Sequence, residues 1–87
     1  MKIIKRDGSE VEFDRAKIAN AIKKANKAGV PELSDEWIDT LALTVEKDCA
    51  KMNRAVSVEE VQDFVETRIM QLGAYEVAKR YIRYRHQ

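Results

Sequence analysis

Apolar positions along the chain change period, from alternation at the start to a three-or-four-residue repeat over most of the rest. Ile3-Ile4-Lys5-Arg6 and Ser9-Glu10-Val11-Glu12-Phe13 flank Asp7-Gly8. Asp-Gly between two such runs predicts a β-hairpin, because its turn needs residues that tolerate positive φ. A two-residue turn pairs Arg6 with Ser9, Lys5 with Glu10 and Ile4 with Val11. Alternation then puts Ile4, Val11, Phe13 and Arg6 on the core-facing side, with Lys5 opposite, near Glu10.

Four helices are predicted downstream. Asp14 reads as an N-cap, and Ile18, Ala21, Ile22 and Ala25 follow at helical spacing, with Lys17, Lys23, Lys24 and Lys27 on other faces. Gly29 ends this helix and Pro31 prevents its resumption. Ser34 caps a second helix, with Asp35 and Glu36 in its first turn, where the helix dipole favours anions. Its buried stripe is Ile38, Leu41, Val45, Cys49 and Met52. Trp37 reads as core or core edge, with a ligand platform as the alternative. Arg54-Ala55-Val56 is extended and supplies a third strand to the hairpin. Ser57-Val58-Glu59-Glu60 is a capping box, and Val61, Phe64, Val65, Ile69 and Leu72 form the third helix's stripe. Gly73 reads as a left-handed C-cap. The last helix starts near Ala74, with Val77, Ala78, Tyr81 and Ile82 inward and Lys79, Arg80, Arg83, Arg85 and His86 crowding its end. The fold class is α+β: a four-helix bundle capped by a small three-stranded β-sheet, in the order hairpin, two helices, short strand, two helices.

Composition narrows what such a fold can do. Eighty-seven residues make one small domain, residues 1–87, too small for a large catalytic cleft. The 45% apolar share is that of a folded chain. No run approaches the ~18 apolar residues of a membrane span, and the start is too charged for a signal peptide, so a soluble cytoplasmic location without a membrane partner is expected. The single Cys49 excludes an internal disulfide and a multi-thiolate metal site, and reads as core filler. His86 reads as a charged helix end, and Glu59-Glu60 as a solvated helix start. No phosphate loop occurs among three glycines. Catalysis is therefore poorly supported. The net charge of +1 hides a layout: residues 1–31 carry +4, residues 32–66 carry −7 and residues 67–87 carry +4. Either the surface simply has complementary faces, or the basic ends meet and bind an anion. Lys5 and Arg6 on the hairpin, with Lys17 one turn into the first helix, are the candidates for a phosphate site.

These residues also carry a resemblance. Ile3-Ile4-Lys5-Arg6-Asp7-Gly8, Val11-Glu12-Phe13-Asp14, Lys17-Ile18 and Ala21-Ile22 resemble the opening of an ATP-cone domain. Val56-Ser57-Val58-Glu59-Glu60-Val61-Gln62-Asp63 with Val65-Glu66 is similar to the start of that family's third helix. Gly73-Ala74-Tyr75-Glu76-Val77-Ala78-Lys79 and Tyr81-Ile82-Arg83-Tyr84-Arg85 resemble its closing signature. The likeness covers nearly the whole chain, and its wording looks closest to the anaerobic, class III ribonucleoside-triphosphate reductase.

The resemblance implies an allosteric domain that binds ATP or dATP, with Mg²⁺ on the triphosphate: ATP leaves the reductase active and dATP switches it off through conformation or oligomeric state. It implies that Lys5, Arg6 and Lys17 contact phosphates, that Ile3 and Ile18 flank the adenine, and that Asp14 lies near the nucleotide's edge. Some relatives have Glu where this chain has Val11, and Asn where it has Asp14, which leaves the ribose contacts open. Tyr81 reads as core, while Tyr84 and Arg85 are open between nucleotide contact and packing. The implied partners are the rest of the reductase and neighbouring subunits, with oligomerisation and no nucleic acid. The chain is too short to reduce ribonucleotides and is expected to be no enzyme by itself. Two alternatives stand beside this: the ATP-cone of a transcriptional regulator of reductase genes, disfavoured by the single cysteine and the acidic middle, and an interaction module without nucleotide.

Overall fold

The computed structural model describes residues 1–86. Strands β1 (Lys2–Ile4) and β2 (Glu10–Glu12) form the hairpin, followed by helices α1 (Arg15–Lys27) and α2 (Asp35–Ala50), strand β3 (Val56–Ser57), and helices α3 (Val58–Gln71) and α4 (Tyr75–Arg85). This is the predicted α+β order. The sheet runs β2-β1-β3, with β1 antiparallel to β2 and parallel to β3. The third strand starts two residues later than expected, because Arg54 turns aside to Glu60 Oε2 at 2.6 Å.

The hairpin register differs by one residue from the expected pairing. Ile3 faces Val11 and Ile4 faces Glu10. The loop has three residues: Lys5 N–H donates to Ser9 O (2.8 Å) and Gly8 N–H to Lys5 O (2.9 Å). A two-residue turn would need positive φ at Asp7 as well as Gly8; here only Gly8 is left-handed, at φ 86°. Asp7 Oδ1 instead accepts from Ser9 N–H and Ser9 Oγ, at 2.9 and 2.6 Å. A one-residue slip exchanges the faces of a strand. Ile3 is therefore buried and Ile4 exposed, and Lys5 takes the inward position assigned to Arg6.

The helices pack in a ring, α1 against α2 and α4, and α3 against α2 and α4. Ile22, Ile38, Val45, Val65, Ile69 and Val77 have no exposed surface, and Ile3 and Val56 join the same core from the sheet. Cys49 is core filler as expected, and burial pushes its thiol up to about 11. Two stripe residues leave the core, and so does Trp37, which was expected at the core or its edge. Met52 lies beyond the end of α2, Leu72 sits at the C-cap of α3, and Trp37, in the first turn of α2, is 55% exposed.

The α1–α2 connection is held by long-range bonds. Helix α1 stops at Lys27, two residues before Gly29. Gly29 is needed for another reason: a Cβ there would lie 2.6 Å from Arg80 Nη1. Arg80 crosses from α4 to cap α1, donating to Ala25 O (2.6 Å), Asn26 O (3.4 Å) and Val30 O (3.3 Å). Buried Asn26 donates to Leu33 O and accepts from the Glu32 and Leu33 amides. Glu32 in turn accepts from Val77 N–H, supplying the cap that Ala74 lacks.

The capping box forms as predicted. Ser57 Oγ accepts from Glu60 N–H (3.1 Å) and Glu60 Oε1 from Ser57 N–H (3.0 Å). This box sets the direction of α3 off β3 and so fixes where the start of α3 stands. Ser57→Ala is expected to cost about 1 kcal/mol, a fall in Tm of roughly 4–8 °C by thermal unfolding. The Arg54 hydrogen bond is the main reason the Glu60 carboxyl lies at about 2 rather than 4.5. A depressed folded-state pKa contributes stability above the unfolded value, so the cap's contribution is complete above pH 4.5 and is lost as the pH falls towards 2.

Candidate functional site

The inward face of the hairpin does not seal onto the helices. Between them lies a cavity of about 330 Å³, within the roughly 300–1,000 Å³ range of small-molecule sites. Ile3, Val11 and Phe13 line it from the hairpin, Ile18 and Ala21 from α1, Val58 and Val61 from α3, and Tyr81 from α4. Four charged residues also line it: Lys5 from the strand end and Lys17 from the first turn of α1, with the acids Glu12 and Asp14. Neither lysine makes an ion pair with any described residue, whereas Lys2 is bound to Glu12 and Lys23 to Asp39. Asp14, in the same lining, is the N-cap of α1, its Oδ1 accepting from Ala16 N–H (3.0 Å) and Lys17 N–H (3.4 Å). Helix α1 therefore offers its N-terminal end to the cavity with its first amides already capped.

A second cavity of about 350 Å³ adjoins the first, lined by Lys5, Arg6, Asp7, Val58 and Gln62. Lys5, Val58 and Gln62 belong to both. Arg6 is engaged: its Nε donates to Glu59 Oε1 at 2.5 Å and its Nη2 to Arg85 O at 3.3 Å. The Arg6 hydrogen bond holds the Glu59 carboxyl below the usual carboxylate range.

Six of the eight residues singled out in the sequence thus surround one cavity: Ile3, Lys5, Asp14, Lys17, Ile18 and Tyr84. Arg6 lines the adjoining one. Arg85 lies behind them, its guanidinium among carboxylates, with Asp63 Oδ1 at 2.8 Å, Glu66 Oε2 at 3.0 Å and Glu59 Oε2 at 3.4 Å. Tyr81 is 2% exposed, in line with its core reading, and burial raises its hydroxyl well above the usual range. Tyr84 is at the rim, its ring centroid 6.0 Å from that of Tyr81. Val58, Val61 and Gln62 were not among the sequence candidates. Val58 and Gln62 stand four apart on α3, so helical spacing was the available signal. A broader depression of about 560 Å³ beside α1 and α2 is lined by Glu12, Asp14 and Asp39 against Arg15. Glu12 and Asp14 line both spaces, but only the hairpin cavity sets two lysines against them, whereas the depression adds a third acid and a single arginine.

The ATP-cone domain family matches residues 1–87. The chain belongs to the ATP-cone family. ATP-cones are nucleotide-binding regulatory domains of ribonucleotide reductase large subunits. The chain is 37% identical over 91 residues to the ribonucleoside-diphosphate reductase subunit alpha of Chlamydia pneumoniae, covering 95% of this chain and 9% of that protein. It is 37% identical over 86 residues to the anaerobic ribonucleoside-triphosphate reductase of Haemophilus influenzae, covering 97% and 12%. With the Treponema pallidum ribonucleoside-diphosphate reductase subunit alpha the identity is 38% over 91 residues, covering 98% and 11%. The chain spans about a tenth of the length of these relatives. In this chain the hairpin cavity is largely apolar, carries Lys5 and Lys17 with Glu12 and Asp14, and adjoins the space that Arg6 lines. No described helix is long and apolar enough to cross a membrane.

Proposed function

We propose that this ATP-cone binds ATP and dATP in the hairpin cavity and sets the overall activity of an anaerobic ribonucleoside-triphosphate reductase in the cytoplasm, ATP permitting activity and dATP suppressing it. The observation that carries this reading is the pair of lysines, Lys5 and Lys17, which enter a largely apolar cavity and make no ion pair with any described residue, while the acids beside them, Glu12 and Asp14, are engaged elsewhere. An unpaired cation beside apolar surface is poised to bind an anion attached to an apolar group. In this reading the adenine lies between Ile3 and Ile18, with Asp14 near its edge. The phosphates meet Lys5 and Lys17 and extend towards Arg6. Mg²⁺ accompanies the triphosphate, held by phosphate oxygens and water. The chain itself performs no catalysis; it reports the nucleotide pool to the rest of the reductase and to neighbouring subunits.

Two effectors that differ by one hydroxyl act oppositely only if they favour different conformations or assemblies. Differences of about 1–3 kcal/mol are typical of such coupling. The end of α4 meets the site through Arg6 and Arg85 O, and is the natural route for that signal. Titration calorimetry with ATP and dATP is expected to show saturable binding of both. No heat of binding at millimolar nucleotide would overturn the proposal. Light scattering of the parent reductase is expected to show a mass that differs between the two nucleotides.

A further inference from the structure

Gln62 is a polar residue in this region whose side chain makes no hydrogen bond to any described residue. Its Oε1 is buried and has no hydrogen-bond partner. Buried acceptors are nearly always paired, because leaving one unpaired forfeits its hydration without return. Gln62 also stands where the two cavities meet, sharing that junction with Lys5 and Val58. On one side of it is the largely apolar hairpin cavity, and on the other the space that Arg6 lines. A nucleotide spanning both places its sugar, the group between base and phosphates, at this junction. The carboxylates nearby are committed, Glu12 to the N-terminal ammonium and Lys2, and Asp14 Oδ1 to the first amides of α1.

We infer that Gln62 is the sugar-reading residue of the site, its Oε1 accepting a hydrogen bond from a ribose hydroxyl. This rests on the nucleotide-binding reading above and adds a specificity determinant to it. An amide suits the position because it accepts without adding negative charge beside the phosphates. A neutral hydrogen bond of this kind is worth about tenfold in affinity.

The test is calorimetry with ATP, 2′-deoxy-ATP and 3′-deoxy-ATP on the wild-type chain and on Gln62→Met, which keeps length and volume but removes the acceptor. The wild type is expected to bind one deoxy nucleotide about tenfold more weakly than ATP, and that nucleotide identifies the hydroxyl. Gln62→Met is expected to lose affinity for ATP by a similar factor, and to stop distinguishing ATP from that same deoxy nucleotide. Its Tm should not fall, since the acceptor it removes is unpaired. Equal affinity of the wild type for all three nucleotides overturns the inference, as does a Gln62→Met variant that still discriminates. The wild-type series decides the matter even if the variant does not fold. A wild type that binds none of the three instead overturns the nucleotide-binding reading, and the inference with it.

Discussion

Replacing Lys5 and Lys17 together by alanine is expected to weaken nucleotide binding about a hundredfold. A hydrogen bond to a charged group is worth roughly 1.5–3 kcal/mol, and the two ammoniums face one triphosphate in this reading. Part of that is offset because both groups reach solvent, where Coulomb interactions are screened. Each single variant is expected to lose about tenfold. Arg6→Ala should lose less than either, because Arg6 must leave Glu59 and Arg85 O before it meets a phosphate. This ordering separates the structure from a simple count of cations, in which Lys5, Arg6 and Lys17 are equivalent. Stability should barely change for the lysine pair, since neither makes an ion pair with a described residue, and surface changes of that kind stay within about 0.5 kcal/mol. Calorimetry at two salt concentrations checks the prediction: the wild-type affinity falls with salt and the double variant's falls less. A double variant within about threefold of wild type would remove the phosphate role from both lysines.

How much of this was legible beforehand depends on range. Caps were legible because they are local: Asp14, Ser34 and Ser57 each bond an amide two or three residues ahead. The helix stripes were legible in their middles, at Ile22, Ile38, Val45 and Ile69, and failed at their ends. Met52 and Leu72 kept the period after the helix itself had stopped, so periodicity overran geometry. The hairpin was legible but its register was not, since Asp-Gly fits both a two-residue and a three-residue loop. The side chain of Asp7, which takes the Ser9 amide, decides between them. That one-residue choice moves Lys5 into the site and leaves Arg6 to Glu59. The roles of Asn26, Arg80 and Arg85 depend on partners in other segments, and no local pattern announces them. Arg80 reaches residues more than fifty positions away. Gln62 escaped for a subtler reason: its spacing put it beside Val58, but only the assembled fold shows that its acceptor has no partner.

Arg85→Leu is expected to cost about 2 kcal/mol, a fall in Tm of roughly 8–16 °C for a chain of this size. Arg85 holds Glu59, Asp63 and Glu66, which lie along one side of α3 and repel one another when it is gone. Removing one partner of a fully buried ion pair costs roughly 3–5 kcal/mol. Here Asp63 and Glu59 are largely open to water, 68% and 51% exposed, and rehydrate, which lowers the figure. Leucine retains much of the apolar stem, so the loss measures the guanidinium rather than the packing. Arg85→Lys should recover only part of it, because one ammonium does not reproduce the planar fork that meets three carboxylates. The sign of the pH dependence follows from the carboxylates. Glu59 has its pKa lowered chiefly by Arg6, so its contribution is present above 4.5 and is lost as the pH falls below that value. Arg85 adds a smaller part to that lowering. Only the Arg85 share of the Glu59 contribution differs between wild type and variant, so the gap in Tm is expected to narrow slightly as the pH falls below 4.5. Because Arg6 spans from Glu59 to Arg85 O, loosening the last turn of α4 also loosens the Tyr84 rim. Nucleotide affinity should then fall by a few-fold, while saturating nucleotide restores part of the lost Tm by mass action. A variant that unfolds at the wild-type temperature at neutral pH would show that the acids are held apart without Arg85, and would take α4 out of the path between the site and what lies beyond it.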